Sequence, residues 1–195
     1  MPSVPLLILA STSPYRRALL ARLTPDFTIV SPGVDEAPHA GEAPQARAAR
    51  LAAAKAQAVA QLRPEAVVIG SDQVAVAHGA ILEKPGTEAR AREQLGRLSG
   101  ATARFYTACA VTCLARGLTA SHVDTTRVVF RSLSTAEIER YVAREQPLDC
   151  AGSFKAEALG IALLNEIDSA DPTALVGLPL IFVAGALRAA GYLLP

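Results

Sequence analysis

The chain has 195 residues, 51% hydrophobic and 19% charged, with 19 basic against 18 acidic side chains and a net charge of +1. That length favours a single domain over residues 1–195 with material for a full core, which excludes disorder for any long segment. The chain lacks a basic stripe, and binding a phosphate backbone needs clustered Lys and Arg, so nucleic acid is excluded as the main partner.

Segments of two periodicities alternate along the chain, the mark of an α/β fold. The start, Met1-Pro2-Ser3-Val4-Pro5, lacks the basic region of a signal peptide, so the expected compartment is the cytoplasm. Residues 4–10 are a continuous apolar run, as in a strand covered on both faces. It ends at Ser11-Thr12-Ser13-Pro14, where Ser13 suits an N-cap and Pro14 the first position of a helix expected to continue over residues 15–23. Residues 27–31 read as a short strand, followed by the acidic turn Pro32-Gly33-Val34-Asp35-Glu36. A helix is expected over residues 43–62, stopped by Pro64, and its alanine enrichment reads as a compositional habit. Residues 66–69 are a second buried strand leading directly into Gly70-Ser71-Asp72-Gln73. Residues 74–77 and 81–82 suit a hairpin around His78-Gly79, and a helix follows over 87–98. The β-prone segments 104–114 and 121–131 flank Ala115-Arg116-Gly117 and predict an antiparallel ribbon. Ser134-Thr135-Ala136-Glu137 fits a capping box opening a helix through Arg144. An irregular loop (150–160), an apolar segment (161–164) and a last helix after Pro179 complete the chain. Residues 175–190 come nearest to a membrane span, but Gly177, Pro179, Gly185 and Arg188 interrupt them, so no membrane is expected. Cys109, Cys113 and Cys150 make neither a disulfide framework nor a zinc set, and read as buried small hydrophobes.

Three segments and a set of lysines can carry chemistry. Ser11, Ser13, Arg16 and Arg17 lie where a strand feeds a helix N-terminus, whose free N–H groups and dipole suit a phosphate. Read alone, the segment suits an ordinary capped helix with solvated arginines equally well, and it is not a Walker loop. Asp72, after a buried strand, can orient a water, hold a metal or cap the next turn. Asp35-Glu36 is either a solvated acidic turn or, with Asp72, an oxygen site for Mg²⁺ or Mn²⁺. The only lysines, Lys55, Lys84 and Lys155, all sit among apolar or turn residues. No Ser/His/Asp relay is visible.

The blocks Ala10-Ser11-Thr12-Ser13-Pro14-Tyr15-Arg16-Arg17, Val34-Asp35-Glu36, Arg50-Leu51-Ala52-Ala53-Ala54-Lys55-Ala56 and Gly70-Ser71-Asp72-Gln73 occur in that order. Leu82-Glu83-Lys84-Pro85, Leu98-Ser99-Gly100, Ala151-Gly152-Ser153-Phe154-Lys155-Ala156-Glu157 and Asp171 through Val176-Gly177-Leu178-Pro179 follow. Together they resemble the Maf family over nearly the whole chain. The resemblance implies a Maf/ITPase-like two-lobed α/β fold, with a central mixed sheet flanked by helices, a cleft between lobes, and usually a homodimer. It implies hydrolysis of a nucleoside triphosphate to the monophosphate and pyrophosphate with a divalent cation. Carried over, Asp72 looks like the general base, Glu36 with Asp72 the metal site, and Ser11, Ser13, Arg16, Arg17, Lys55, Lys84 and Lys155 the phosphate-binding set. The pyrimidine-hydrolysing pattern has Arg, Thr and Gln at positions 15, 73 and 157. Tyr15, Gln73 and Glu157 instead resemble the subgroup acting on the modified nucleotide 7-methyl-GTP. An aromatic face can attract the cationic methylated base, and a carboxylate can accept from the N1–H and N2 amine of guanine. The alternatives are a dTTP/UTP or broad-range pyrophosphatase and, from another class, a non-catalytic nucleotide-binding regulator of septation.

Overall fold

Four consecutive buried residues, Leu7–Ala10, form β1. A strand covered on both faces has no polar side, so its sequence is apolar throughout. The computed structural model describes residues 4–195, and the part of the N-terminal reading that rests on Met1, Pro2 and Ser3 lies outside them. β1 pairs in parallel with β2 (Thr28–Ile29) and β3 (Val67–Ala77), the latter in register from Leu7↔Val67 to Ala10↔Gly70. β4 (Ala80–Leu82) is antiparallel to β3. β5 (Thr102–Cys113) and β6 (Leu118–Phe130) are neighbours joined by a 3-10 turn, and β7 (Leu164–Asp168) is antiparallel to β6. The sheet order is β2-β1-β3-β5-β6-β7 with β4 beside β3, a mixed sheet as the fold class requires. The helices are α1 (Pro14–Leu20), α2 (Pro44–Leu62), α3 (Glu88–Leu98), α4 (Thr135–Glu145) and α5 (Leu180–Ala189).

The chain divides into two compact units, Met1–Gln73 with Thr107–Asp124 and Asp171–Pro195, and Val74–Tyr106 with Thr125–Ala170. In the first, strand alternation sorts side chains between two helical layers. Leu7, Leu9, Val67, Ile69, Cys109, Val111 and Cys113 pack with Leu19 and Leu20 of α1 and Val183 and Leu187 of α5. Ile8, Ala10, Val68 and Ala110 pack on the opposite face with Ala56, Val59 and Ala60 of α2. In the second unit α3 packs on α4. There the Phe154 ring meets Phe105 and Phe130 edge-on, at centroid distances of 5.5 and 5.2 Å.

Several elements differ from their sequence reading. The helix after Pro14 ends at Leu20 and not at residue 23, although Leu23 still packs against the same core. Gly70-Ser71-Asp72-Gln73 is not the end of a strand, because β3 runs straight through it to Ala77. Its partner β1 is what stops, at Ala10 opposite Gly70, so Asp72 lies just past the end of β1. β7 was not expected; it is a short edge strand with mostly exposed side chains, and its apolar signal is weak. Cys150 is only partly buried, unlike Cys109 and Cys113. The alanines of α2 are not a habit: Ala48, Ala52, Ala56 and Ala60, spaced one helical turn apart, are all buried.

The capping box at α4 is present in full. Ser134 Oγ accepts from the Glu137 N–H at 3.3 Å, and Glu137 Oε2 accepts from the Ser134 N–H at 2.8 Å. The Ser134 N–H and hydroxyl, with Arg131, hold the Glu137 carboxyl down at about 2, against an ordinary 4.5. A depressed folded value means its stabilisation is complete above about pH 4.5 and lost as pH falls through about 2. Ser134→Ala is therefore expected to cost roughly 1 kcal/mol at pH 7. Glu137→Gln should be less stable than the parent at pH 7 and converge on it toward pH 2. Urea denaturation across that range reads both, and a gap that does not narrow in acid would contradict the assignment.

Candidate active site

Where β1 ends, the chain turns into α1, whose first turn is organised by side chains. Ser13 caps it, accepting from the Arg16 N–H at 3.4 Å, and Ser11 Oγ accepts from the Ser13 N–H at 3.2 Å. The Arg16 guanidinium donates from Nε to the Gly177 carbonyl at 2.9 Å and from Nη1 to Ser11 Oγ at 3.4 Å. Burial pulls its pKa below the ordinary value, while Asp72, Cys109 and Glu36 push the other way. A guanidinium has five N–H donors in a fixed fork, so donors remain for a ligand after these two bonds. Arg17, on the same helix, is exposed. Burial raises the nearby Cys109 thiol to about 12, against the pull of Arg16, so it is no nucleophile near neutral pH.

The centre of the site is a charged trio. Lys55 Nζ lies 2.7 Å from Asp72 Oδ1 and 2.6 Å from Glu36 Oε1. The Lys55 and Asp72 side chains are 7% and 11% exposed, whereas Glu36, on the loop after β2, is 57% exposed. The pairing follows from strand parity. Gly70 and Asp72 share the β3 face that meets α2, and a Cβ on Gly70 would fall 2.3 Å from the Ala52 carbonyl oxygen and 2.5 Å from the Ala56 nitrogen. Only a glycine lets the helix come this close, and Lys55 stands on that same turn. Lys55 engages Oδ1 alone, which leaves Oδ2 of Asp72 without a protein partner among the described residues.

The other parity of β3 faces the segment leading into α5. Ser71 Oγ lies 2.9 Å from the Gly177 carbonyl and 2.8 Å from that of Ala108. Gln73 Nε2 lies 2.8 Å from Thr107 Oγ1, 3.1 Å from the Ala174 carbonyl and 3.0 Å from that of Leu175. Two carbonyls can only accept, so they fix which end of the Gln73 amide is the nitrogen and leave its oxygen for other use. Ser71, Thr107 and Gly177 drew no role from the sequence. Only the strand-parity rule, applied to a β3 of the right length, would have found Ser71.

Tyr15 lies on α1 in the first unit, partly buried, and the second unit carries Lys84, Lys155 and Glu157. Lys84 is exposed on the loop after β4, and Glu157 is exposed. Lys155 donates from Nζ to the Glu145 carbonyl at 2.8 Å, at the end of α4, and its N–H donates to Tyr141 Oη at 3.0 Å. The loop is tightly built. Ser153 sits fully buried at φ +56 and donates to Gln94 Oε1 at 2.5 Å, and a Cβ on Gly160 would fall 2.4 Å from the Lys155 carbonyl oxygen. A left-handed serine costs on the order of 1–3 kcal/mol and persists only where its surroundings over-determine it. A pocket of about 310 Å³ beside α4, lined by Arg131, Glu137, Tyr141 and Leu163 among others, contains none of the residues named for the site.

The family described as "Maf-like protein" matches residues 6–190. The chain belongs to the Maf family. A 7-methyl-GTP pyrophosphatase of Xanthomonas oryzae pv. oryzae is 58% identical over 192 residues, 98% of this chain and 100% of its own. Proteins of the same name from Polaromonas sp. and Albidiferax ferrireducens are 57% and 55% identical, each over 95% of this chain and over 84% and 93% of their own. The solved structure of the Staphylococcus aureus Ham1 protein aligns at 16% identity with a TM-score of 0.46, covering 65% of this chain and 72% of that one. At that distance it adds nothing to the family assignment.

Proposed function

We propose that this Maf protein is a nucleoside triphosphate pyrophosphatase that hydrolyses 7-methyl-GTP to 7-methyl-GMP and diphosphate, removing modified nucleotides from the pool. The observation that carries the reading is the Lys55 ammonium held between Asp72 and Glu36, in the same unit as the Ser11–Arg16 helix start. A triphosphate brings about four negative charges, which need oriented donors and cations before water can attack. Arg16, Lys55, Ser11 and Ser13 serve that need in this reading, with Arg17, Lys84 and Lys155 as further phosphate ligands. Asp72, whose Oδ2 is open, takes the proton of the attacking water. The names of the relatives supply the substrate.

The donor set fits a hard divalent cation such as Mg²⁺ or Mn²⁺. Glu36 and Asp72 are both carboxylates and already converge on one positive charge. Among the described residues no third His, Cys, Asp or Glu joins them. Mg²⁺ is commonly held by one or two carboxylates with substrate phosphates and waters completing the shell. Bound there, it would neutralise charge on the phosphate chain. We further propose a cytoplasmic homodimer; none of the described helices is long and apolar enough to cross a membrane.

Base recognition is assigned to Tyr15, Gln73 and Glu157. Gln73 presents its amide oxygen, because its nitrogen is engaged by Thr107 and the Ala174 and Leu175 carbonyls. Glu157→Gln exchanges part of an acceptor for a donor and is expected to reduce kcat/KM for 7-methyl-GTP roughly ten- to a hundredfold, the cost of an unpaired polar edge. Tyr15→Ala should lose less, and more on 7-methyl-GTP than on GTP, since a cation–π contact is worth about 0.5–2 kcal/mol. The measurement is kcat/KM for 7-methyl-GTP, GTP and UTP, with products followed by phosphorus NMR. Preference for UTP would mark a pyrimidine or broad-range enzyme, affinity without turnover a regulator, and orthophosphate as first product would sink the pyrophosphatase reading.

A further inference from the structure

The segment between β7 and α5 is braced by two residues to which the reaction assigns no role. Asp171, 4% exposed, accepts at Oδ1 from the Thr173 N–H (2.9 Å) and hydroxyl (2.5 Å), and at Oδ2 from the Ile181 N–H (2.7 Å). Thr173 Oγ1 accepts from the Leu180 N–H at 2.9 Å and also lies 2.9 Å from the Leu178 carbonyl, so its one proton serves Asp171 or Leu178. α5 has no side-chain cap at Pro179. Asp171 and Thr173 supply one from a distance, satisfying two of the N–H groups a helix start leaves without partners.

Between those braces the backbone points carbonyls at the site. Ala174 accepts from Thr107 (2.9 Å), while Ala174 and Leu175 together receive Gln73. Gly177, at φ +122, lies in the region that favours glycine, and its carbonyl takes both Ser71 Oγ and Arg16 Nε. An arginine side chain has many rotamers to lose, and a fixed acceptor on Nε removes that loss before a ligand arrives.

We propose that Asp171 and Thr173 are positioning residues for phosphate binding, holding the 174–177 turn so that the Gly177 carbonyl presents the Arg16 guanidinium to the phosphate chain. This rests on the reading of Arg16 as a phosphate ligand. Neither residue touches substrate. Their effect on the phosphate chain passes through the Gly177 carbonyl to Arg16, whereas the Ala174 and Leu175 carbonyls of the same turn hold Gln73, so a ligand that carries no base reads the phosphate part alone.

A double-mutant cycle tests it, because residues acting through a common group give non-additive effects. The probe is inorganic triphosphate with Mg²⁺, titrated calorimetrically, with melting temperature recorded for every variant. Thr173→Val, close in shape but lacking the hydroxyl, is expected to weaken binding roughly tenfold, the scale of a lost buried hydrogen bond. Thr173→Ser should bind like the parent. In an Arg16→Gln background Thr173→Val should have no further effect. An equal loss with and without Arg16, or no loss at all, overturns the proposal while leaving the nucleotide reading intact. A parent protein that binds no triphosphate overturns both. Should Thr173→Val not fold, Asp171→Asn, which keeps an oxygen acceptor, carries the same cycle with the same outcomes.

Discussion

Replacing Asp72 by Asn is expected to leave a folded protein whose turnover of 7-methyl-GTP falls by at least about a hundredfold, the lower end of what a general base supplies. The fold should survive because the amide oxygen can still accept from Lys55 Nζ, now 2.7 Å from Oδ1. Lys55 also keeps Glu36, so no buried cation is left uncompensated, which is the usual reason such substitutions cost several kcal/mol. What Asn cannot do is take a proton. The loss should therefore fall on kcat. A rise in KM of the same size with kcat kept would leave Asp72 only its share in holding the cation. Steady-state kinetics and a melting curve separate these outcomes, and a folded variant retaining most of its activity would remove Asp72 from the chemistry.

Gly70→Ala is expected to be the most destabilising small substitution in the first unit. Its added methyl would meet Ala52 O at 2.3 Å, Ala56 N at 2.5 Å and Ala56 Cα at 3.0 Å. These are backbone atoms of α2, so relief needs the whole helix to move and not one side chain to rotate. Overpacking a well-filled core costs about 1–3 kcal/mol and occasionally more, and a backbone clash belongs at or above the top of that range. Gly96→Ala is the matched control. It lies in α3 with open space around its Cβ and no unusual φ. There the better helix former should stabilise by up to about 1 kcal/mol. Urea denaturation of both decides the matter, and a Gly70 variant as stable as the parent would mean that α2 does not sit so close to β3.

How much of this was legible depended on whether the signal was local. Ser13-Pro14 before α1 and Ser134 to Glu137 at α4 are patterns within one turn, and each helix starts where its pattern says. The extent of β3 is not legible, because Gly70-Ser71-Asp72-Gln73 looks like a strand's end and nothing local says that β1 stops first. The pairing of Lys55 with Asp72 joins residues seventeen positions apart and depends on which face of β3 meets α2. The engagement of Gln73 with the Ala174 and Leu175 carbonyls spans about a hundred positions, beyond any periodicity. The alanines of α2 are plain in the sequence but their purpose is not, since a small residue announces itself only through what comes near it.

Those alanines have a mechanical consequence. With Ala52 and Ala56 against Gly70, helix and strand are mounted with no clearance, so the base of the Lys55 side chain and the base of Asp72 share one rigid frame. Glu36 reaches the trio from an exposed loop that side chains tie to α2, Arg47 donating to the Glu36 carbonyl at 3.3 Å and Arg50 to that of Ala37 at 3.2 Å. Of the three charges, two are fittings and one is an arm, and whatever adjustment the trio makes when its load changes is left to the arm.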